Sequence, residues 1–491
     1  MRSPIEFARL LYGTFGRCRA RHLNSPTAVR RHRTFGIEPL ETRTLLSADL
    51  LGSAAWLDQG PGTILNGNNV EIAALNNPQA GAVNAIAADP TNANRMFIGS
   101  VGGGIWRTTN ATAANPDWTP LTDQYASTAI GSIAFSPLDP TLNTLFAGTG
   151  RYSSGGGDGT ATIGILKTTD GGNTWSILGQ NVMGGLNVME VIPTSIGTVS
   201  TQVVLAATNG GIFRSTDGGA NWGATPVLNG NVTSLAADPS NNMRFYAAVP
   251  GTGIFLSTDG GQVWNPANGD IPAPIVAQST FIELAVHNSG ATFSVIFNSG
   301  VPTIDAFRSV NQGTNWAAMD DPPNIARPRR TSIVADPNDA NVVYISGVPG
   351  SVTPPGSARP SGRILRGDFA QGAGTQWTWL VGNGANGTSP HPDARWLTFD
   401  ANGDLLDADD GGVYRLNDTG AGTQSWVSVN GNLRTVEFYS VAYDSNANSS
   451  FGGTQDNGTP QQDTPAATPG GAPPTYTWVD RTGADGGFVG V

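Results

Sequence analysis

Beyond about residue 83 the apolar positions fall into short runs closed off by turn formers. Met96-Phe97-Ile98, Leu145-Phe146-Ala147, Phe245-Tyr246-Ala247 and Val342-Val343-Tyr344-Ile345 are examples, each following a D-P or S-P turn. Runs this short, rich in β-branched and aromatic residues and bounded by Gly, Pro, Asn and Asp, predict strands rather than helices. The pattern repeats as a unit: strand, turn, strand, Gly-rich loop, strand (Ile105-Trp106-Arg107, Ile212-Phe213-Arg214, Val413-Tyr414-Arg415), tight turn, and a last strand ending at Trp.

The tight turn carries the clearest repeat. Thr168-Thr169-Asp170-Gly171-Gly172-Asn173-Thr174-Trp175 recurs at Ser215–Trp222 and Ser257–Trp264, and more weakly at Ser309–Trp316, where Asn311 takes the acidic position. Degenerate copies run from Thr108 to Trp118, Arg366 to Trp377 and Arg415 to Trp426. Positions 170, 217, 259 and 311 lie 47, 42 and 52 residues apart, the length of one four-stranded propeller blade. A Ser/Thr hydroxyl and the Asp carboxylate can bond backbone groups inside such a turn, glycine supplies positive φ, and Trp packs between blades. Asp170, Asp217 and Asp259 are therefore read as turn-makers, not catalysts.

Seven units run from about 83 to 430 and an eighth from 436 to 479. The expected fold is all-β, a β-propeller of seven to eight four-stranded blades. Ala484–Val489 looks like the start of a further strand, which makes this ring the first of two in the tandem reading. The expected domains are a basic leader (1–47), a linker with a closing strand (48–82), the propeller (83–435), and a further blade with a truncated next repeat (436–491). Asn69–Leu75 is the candidate closing strand.

Composition narrows the partners. The chain carries a net charge of −11, but residues 1–47 hold nine of its 26 basic and three of its 37 acidic residues. The remainder has 17 basic and 34 acidic residues, a net −17 that would repel nucleic acid. Cys18 is the only cysteine and the four histidines (His22, His32, His287, His391) are scattered, so no metal or other cofactor is expected. No apolar run is long enough for a membrane-spanning helix.

Two resemblances extend the reading. Ile37–Ser47, containing E-P-L-E-x-R-x-L-L-S, resembles the LEPR-XLL leader of large bacterial surface and exported proteins, which implies a secreted or cell-surface location. The turn repeats resemble the Asp-box (BNR) repeats of sialidases, xyloglucan-specific endoglucanases, sortilin-type receptors and a photosystem assembly factor. Ile98–Thr109, Asp407–Arg415 and Gly452–Thr459 are similar to blades of the endoglucanase-like members. That resemblance implies a propeller hosting either a glycosidase or a receptor. Two family marks are missing. Where the endoglucanases carry a catalytic aspartate in T-D-I-G-G, this chain reads Ser100-Val101-Gly102-Gly103, and no sialidase-type F-R-I-P string occurs.

Antiparallel strands put the tight turns on one face of the disc. Loops joining second and third strands, and loops between blades, open on the other. That second face gathers Asp409, Asp410, Asp456 and Asn457 from the former loops, and Arg329, Arg330, Asp393 and Arg395 from the latter. Asp410 and Asp456, from adjacent blades, are the candidate acid and base of an inverting glycosidase, whose carboxyl groups sit about 6.5–9.5 Å apart. The alternative is that D-D-G-G and Q-D-N-G are simply tight turns. Asp409, Arg329, Arg330, Asp393, Arg395 and Asn457 are candidate binding residues. The leading expectation is binding of an extracellular glycan or protein. Glycoside hydrolysis and an architectural role in a larger surface protein are the alternatives.

Overall fold

The computed structural model describes residues 60–490 apart from 73–75, 151–160, 300–303, 324, 327–330, 350–352, 358–361, 418–422, 464–476 and 484. The leader and its motif lie outside the described residues. Strands dominate. The described helices are Gln180–Met183, Ala273–Gln278 and a 3-10 turn at Asn383–Ala385. None is long and apolar enough to cross a membrane.

The strands form eight sheets. Seven of them each send one strand to a common axis: Val83–Ala88, Ile130–Phe135, Val188–Pro193, Ser234–Ala237, Ser279–Val286, Ser332–Ala335 and Trp396–Phe399. Residues on or immediately before all seven line a single axial cavity, and each inner strand packs on the next. Trp396–Phe399 of the seventh sheet meets Val83–Ala88 of the first, so seven blades close the ring.

Local sequence explains the packing. The second strands Met96–Ser100, Leu145–Thr149, Val204–Thr208 and Phe245–Val249 are buried at every position, because blades cover them on both sides. This is why they read as unbroken apolar runs. Two of them carry a glycine where the next blade approaches. A Cβ on Gly99 would sit 2.3 Å from Ile130 Cγ2, and one on Gly148 2.5 Å from Val188 Cγ1.

The tight turns have one construction. Thr168 Oγ1 donates to Asp170 Oδ1 (2.8 Å) and accepts from Gly172 N (2.9 Å), while Asp170 Oδ1 accepts from Thr174 N (2.9 Å). Ser215, Asp217, Gly219 and Asn221 repeat those bonds at 2.8, 3.0 and 2.8 Å. Asn311 does the same work with its amide oxygen, accepting from Asn315 N at 2.9 Å. The turn then delivers its Trp inward: Trp175 of the second blade joins Phe97 and Ile105 of the first in one buried cluster.

Ring closure uses apolar and polar contacts together. Val83, Ile86, Met96 and Ile98 share a core with Leu406, Ala408, Val413 and Val429. Trp118 Nε1 donates to the Val429 carbonyl (2.9 Å), and Arg415 Nη1 to that of Ala111 (2.9 Å). No strand is exchanged at this closure, because the seventh sheet consists of four strands from Trp396 to Ser428.

The eighth sheet lies outside the axis. It comprises Phe438–Asp444, Ser449–Thr454, Pro460–Gln462 and Trp478–Asp480, and Ile64–Leu65 adds to it in parallel beside Trp478–Val479. The linker supplies a strand at Ile64–Leu65 to this outer sheet; of the expected closing segment Asn69–Leu75, residues 73–75 lie outside the described residues. Further along, Val70 and Ile72 are buried in a core shared by the sixth and seventh blades, and Glu71 between them pairs its backbone with Ser389 in an isolated antiparallel bridge.

Replacing Asp217 with Ala is expected to lower stability by about 1 kcal/mol, the usual cost of losing such a side-chain cap, read from the urea midpoint. Bonds from the Thr174 hydroxyl and amide hold Asp170 down at about 2. Partial burial works against ionisation of Asp217, but the bonds from Asn221 outweigh it and hold its carboxyl low. A depressed carboxylate stabilises the fold above its unfolded pKa and loses that effect as pH falls. Asp170→Asn with Asp217→Asn should therefore flatten the decline in stability between about pH 4 and pH 2.

Candidate functional site

Three loops meet where the seventh blade adjoins the eighth sheet. The turn between Leu405–Asp409 and Gly412–Asn417 supplies Asp410, and the loop between Ser449–Thr454 and Pro460–Gln462 supplies Asp456. The segment leading into Trp396–Phe399 supplies Asp393 and Arg395. One carboxylate oxygen from each of Asp393, Asp410 and Asp456 lies within 4.8 Å of the other two. Asp393 and Asp456 both adopt left-handed backbone (φ 66° and 57°), which Asp tolerates better than most residues.

Arg395 organises the cluster. Its Nε forms an ion pair with Asp410, which is 1% exposed, and its Nη1 donates to Asn84 Oδ1 of the first blade at 2.9 Å. Asp410 is also hydrogen-bonded to the Asp456 side chain. Burial, and then the neighbouring Asp410 charge, push Asp456 up to about 7. A carboxylic acid is thereby held protonated at mildly acidic pH beside one that is paired with a guanidinium.

Backbone anchors fix the Asp456 loop. Its carbonyl accepts from Asn69 Nδ2 (3.0 Å) and lies 3.2 Å from His391 Nε2, while its amide donates to Asp485 Oδ1 (3.1 Å). Burial lowers the pKa of His391 and favours the neutral ring. Asn457 Nδ2 donates to the Asp410 carbonyl (2.9 Å), and Gln79 Nε2 to the Asn457 carbonyl (3.3 Å). Asn69, Gln79 and Asp485 carried no motif. Their role depends on the linker running between blade and outer sheet, which local sequence does not encode.

The structure thus brings together Asp393, Arg395, Asp410, Asp456 and Asn457. Asp409 lies beneath them, fully buried, accepting from Gly411 N (2.8 Å) beside the equally buried Asp407. Burial pushes both carboxyls well above their usual range. Arg329 and Arg330 lie outside the described residues. The contact between Asp410 and Asp456 is closer than the about 6.5–9.5 Å that leaves room for water in an inverting pair. Three carboxylates at this spacing are a donor set for a hard cation, although Arg395 already opposes the Asp410 charge.

A groove of about 520 Å³ lies between the first blade and the eighth sheet, lined by Gly103, Trp106, Trp118, Asp123, Arg434 and Phe438 among others. Gln455 N donates to the Glu437 carbonyl (2.9 Å), joining the residue before Phe438 of this groove to the Asp456 loop.

Ring, axis and loop placement define a β-propeller. No family model matches the chain, and no curated protein sequence does. Solved structures with a similar fold include an ancestral GH74 enzyme (17% identity, TM-score 0.59) and the GH74 xyloglucanase from Xanthomonas campestris (17%, 0.55). A GH74 enzyme from Niastella koreensis is a third (18%, 0.53). They match 84, 84 and 85% of this chain, which spans only 54, 63 and 68% of theirs. At these identities the likeness is one of fold.

Arg395→Ala should cost about 3–5 kcal/mol in urea unfolding, because it strands a buried carboxylate. The Asp456 proton stabilises the fold below about pH 4, where both states hold it, and that effect is lost as pH rises to about 7. Asp456→Asn should accordingly gain stability relative to the parent across that interval, measured by unfolding at a series of pH values.

Proposed function

We propose that this chain binds a neutral polysaccharide, outside the cell, through the face carrying Asp393, Asp410 and Asp456, and does not turn it over. The observation that carries the reading is the state of Asp410. Its carboxylate is paired with Arg395 and bonded to Asp456, closer than the separation an inverting acid and base keep. Carboxyls fixed by such bonds are suited to holding sugar hydroxyls, and the Trp-lined groove alongside offers apolar surface for ring faces. The name of one structural neighbour, a xyloglucanase, makes xyloglucan the first polysaccharide to try.

A second reading, glycoside hydrolysis, is favoured by Asp456 alone, whose proton is available near neutrality as a general acid requires. Affinity electrophoresis on xyloglucan and other neutral polysaccharides, paired with reducing-sugar assays, separates the two. Retardation without sugar release is expected, weakened about tenfold or more in Asp456→Ala. Sugar release abolished by Asp456→Asn would replace the first reading by the second. A folded chain showing neither retardation nor release would remove both.

A further inference from the structure

The axial cavity is chemically unlike the rest of the core. It measures about 150 Å³, space for roughly five waters. Two of the few glutamates in the chain face it from otherwise apolar inner strands: Glu190 in Val188–Pro193 and Glu283 in Ser279–Val286. The fourth blade stands between them and binds both. Leu235 N donates to Glu190 Oε2 (3.0 Å), and the Ser234 hydroxyl bonds Glu283 while accepting from Leu284 N (3.1 Å).

Nothing in those contacts balances the charge. Among the described lining residues the other charged side chain is Arg395, which is engaged by Asp410 and Asn84. Burial pushes Glu190 up to about 7, and burial together with the Glu190 charge pushes Glu283 well above the usual carboxylate range. On the sixth blade Thr331 lines the same cavity at 6% exposure, and its buried Oγ1 has no hydrogen-bond partner among the described residues.

We propose that the axial cavity is a site for a hard divalent cation of the calcium class, held by the Glu190 and Glu283 carboxylates, with Thr331 Oγ1 and water completing the shell. The donors are oxygens, which selects against zinc and copper. Calcium accepts six to eight oxygen ligands in irregular arrangements, whereas magnesium demands a near-ideal octahedron. Such an ion would tie the third, fifth and sixth blades across the axis, in a body whose described residues contain no cysteine. Arg395 is the charged neighbour that opposes it.

The test is calcium titration calorimetry on the full chain after chelator treatment, in buffers of different ionisation enthalpy. Terbium luminescence provides a second readout, because Trp396 lines the cavity and can sensitise the ion. The expected result is a site that loses about tenfold or more in affinity in Glu190→Gln or Glu283→Gln, and is unchanged in Asp456→Asn. Trp396→Phe should dim the terbium signal while leaving calcium affinity intact. The glutamine variants remove buried charge at nearly constant shape, and their thermal unfolding shows whether they fold. Absence of binding by the folded parent chain would overturn the proposal. So would binding that survives both glutamine changes, and loss in Asp456→Asn alone would move the site to the surface carboxylates.

Discussion

Each blade must bury two faces, and it can do so only against its neighbours. A ring is the arrangement in which no face is left over, so the contact between the first and seventh blades is the one on which the others depend. Here it is a continuous apolar core, Val83, Ile86 and Ile98 against Leu406, Ala408 and Val413. Polar ties from Trp118 and Arg415 frame it. Arg415 is itself buried and neutralised by Asp400 at 3.0 Å, so the closure includes a paired charge that must be matched, not merely covered. The same demand for close approach explains Gly99 and Gly148 between earlier blades.

Closure also determines where the chemistry collects. Once the seventh blade has met the first, the segment before the ring and the segment after it leave from the same place. The former gives Ile64–Leu65 to the outer sheet and passes Asn69 and Gln79 under the Asp456 loop. The carboxyl cluster and the Trp-lined groove both lie along this junction. Within the cluster burial and the Asp410 charge raise Asp456, so one of the three carboxyls holds its proton toward neutrality.

Arg395 connects that face to the axis, since it lines the axial cavity while pairing with Asp410 and reaching Asn84 on the first blade. Glu190 and Glu283 therefore share the axis with a cation already committed elsewhere. At the axis and on the loop face alike the ring buries acids, and hydrogen bonds and retained protons offset their charge beside the Arg395–Asp410 ion pair.

The sequence by itself determined the blade. Turn chemistry at Asp170, Asp217, Asp259 and Asn311 is local, satisfied within a few residues, and strand runs between turns follow from apolar patterning. The propeller class and the gathering of Asp393, Arg395, Asp410, Asp456 and Asn457 toward one junction were legible because antiparallel alternation dictates which loops share a face. Only tertiary structure decided that seven blades enclose the axis, that Ile64–Leu65 adds a strand to the outer sheet, and that Asp409 points inward. It alone brought Glu190 and Glu283 to one cavity. Blade number and register across the ring depend on packing between residues hundreds of positions apart, as with Asn84 and Arg395, and no local pattern specifies a contact of that range.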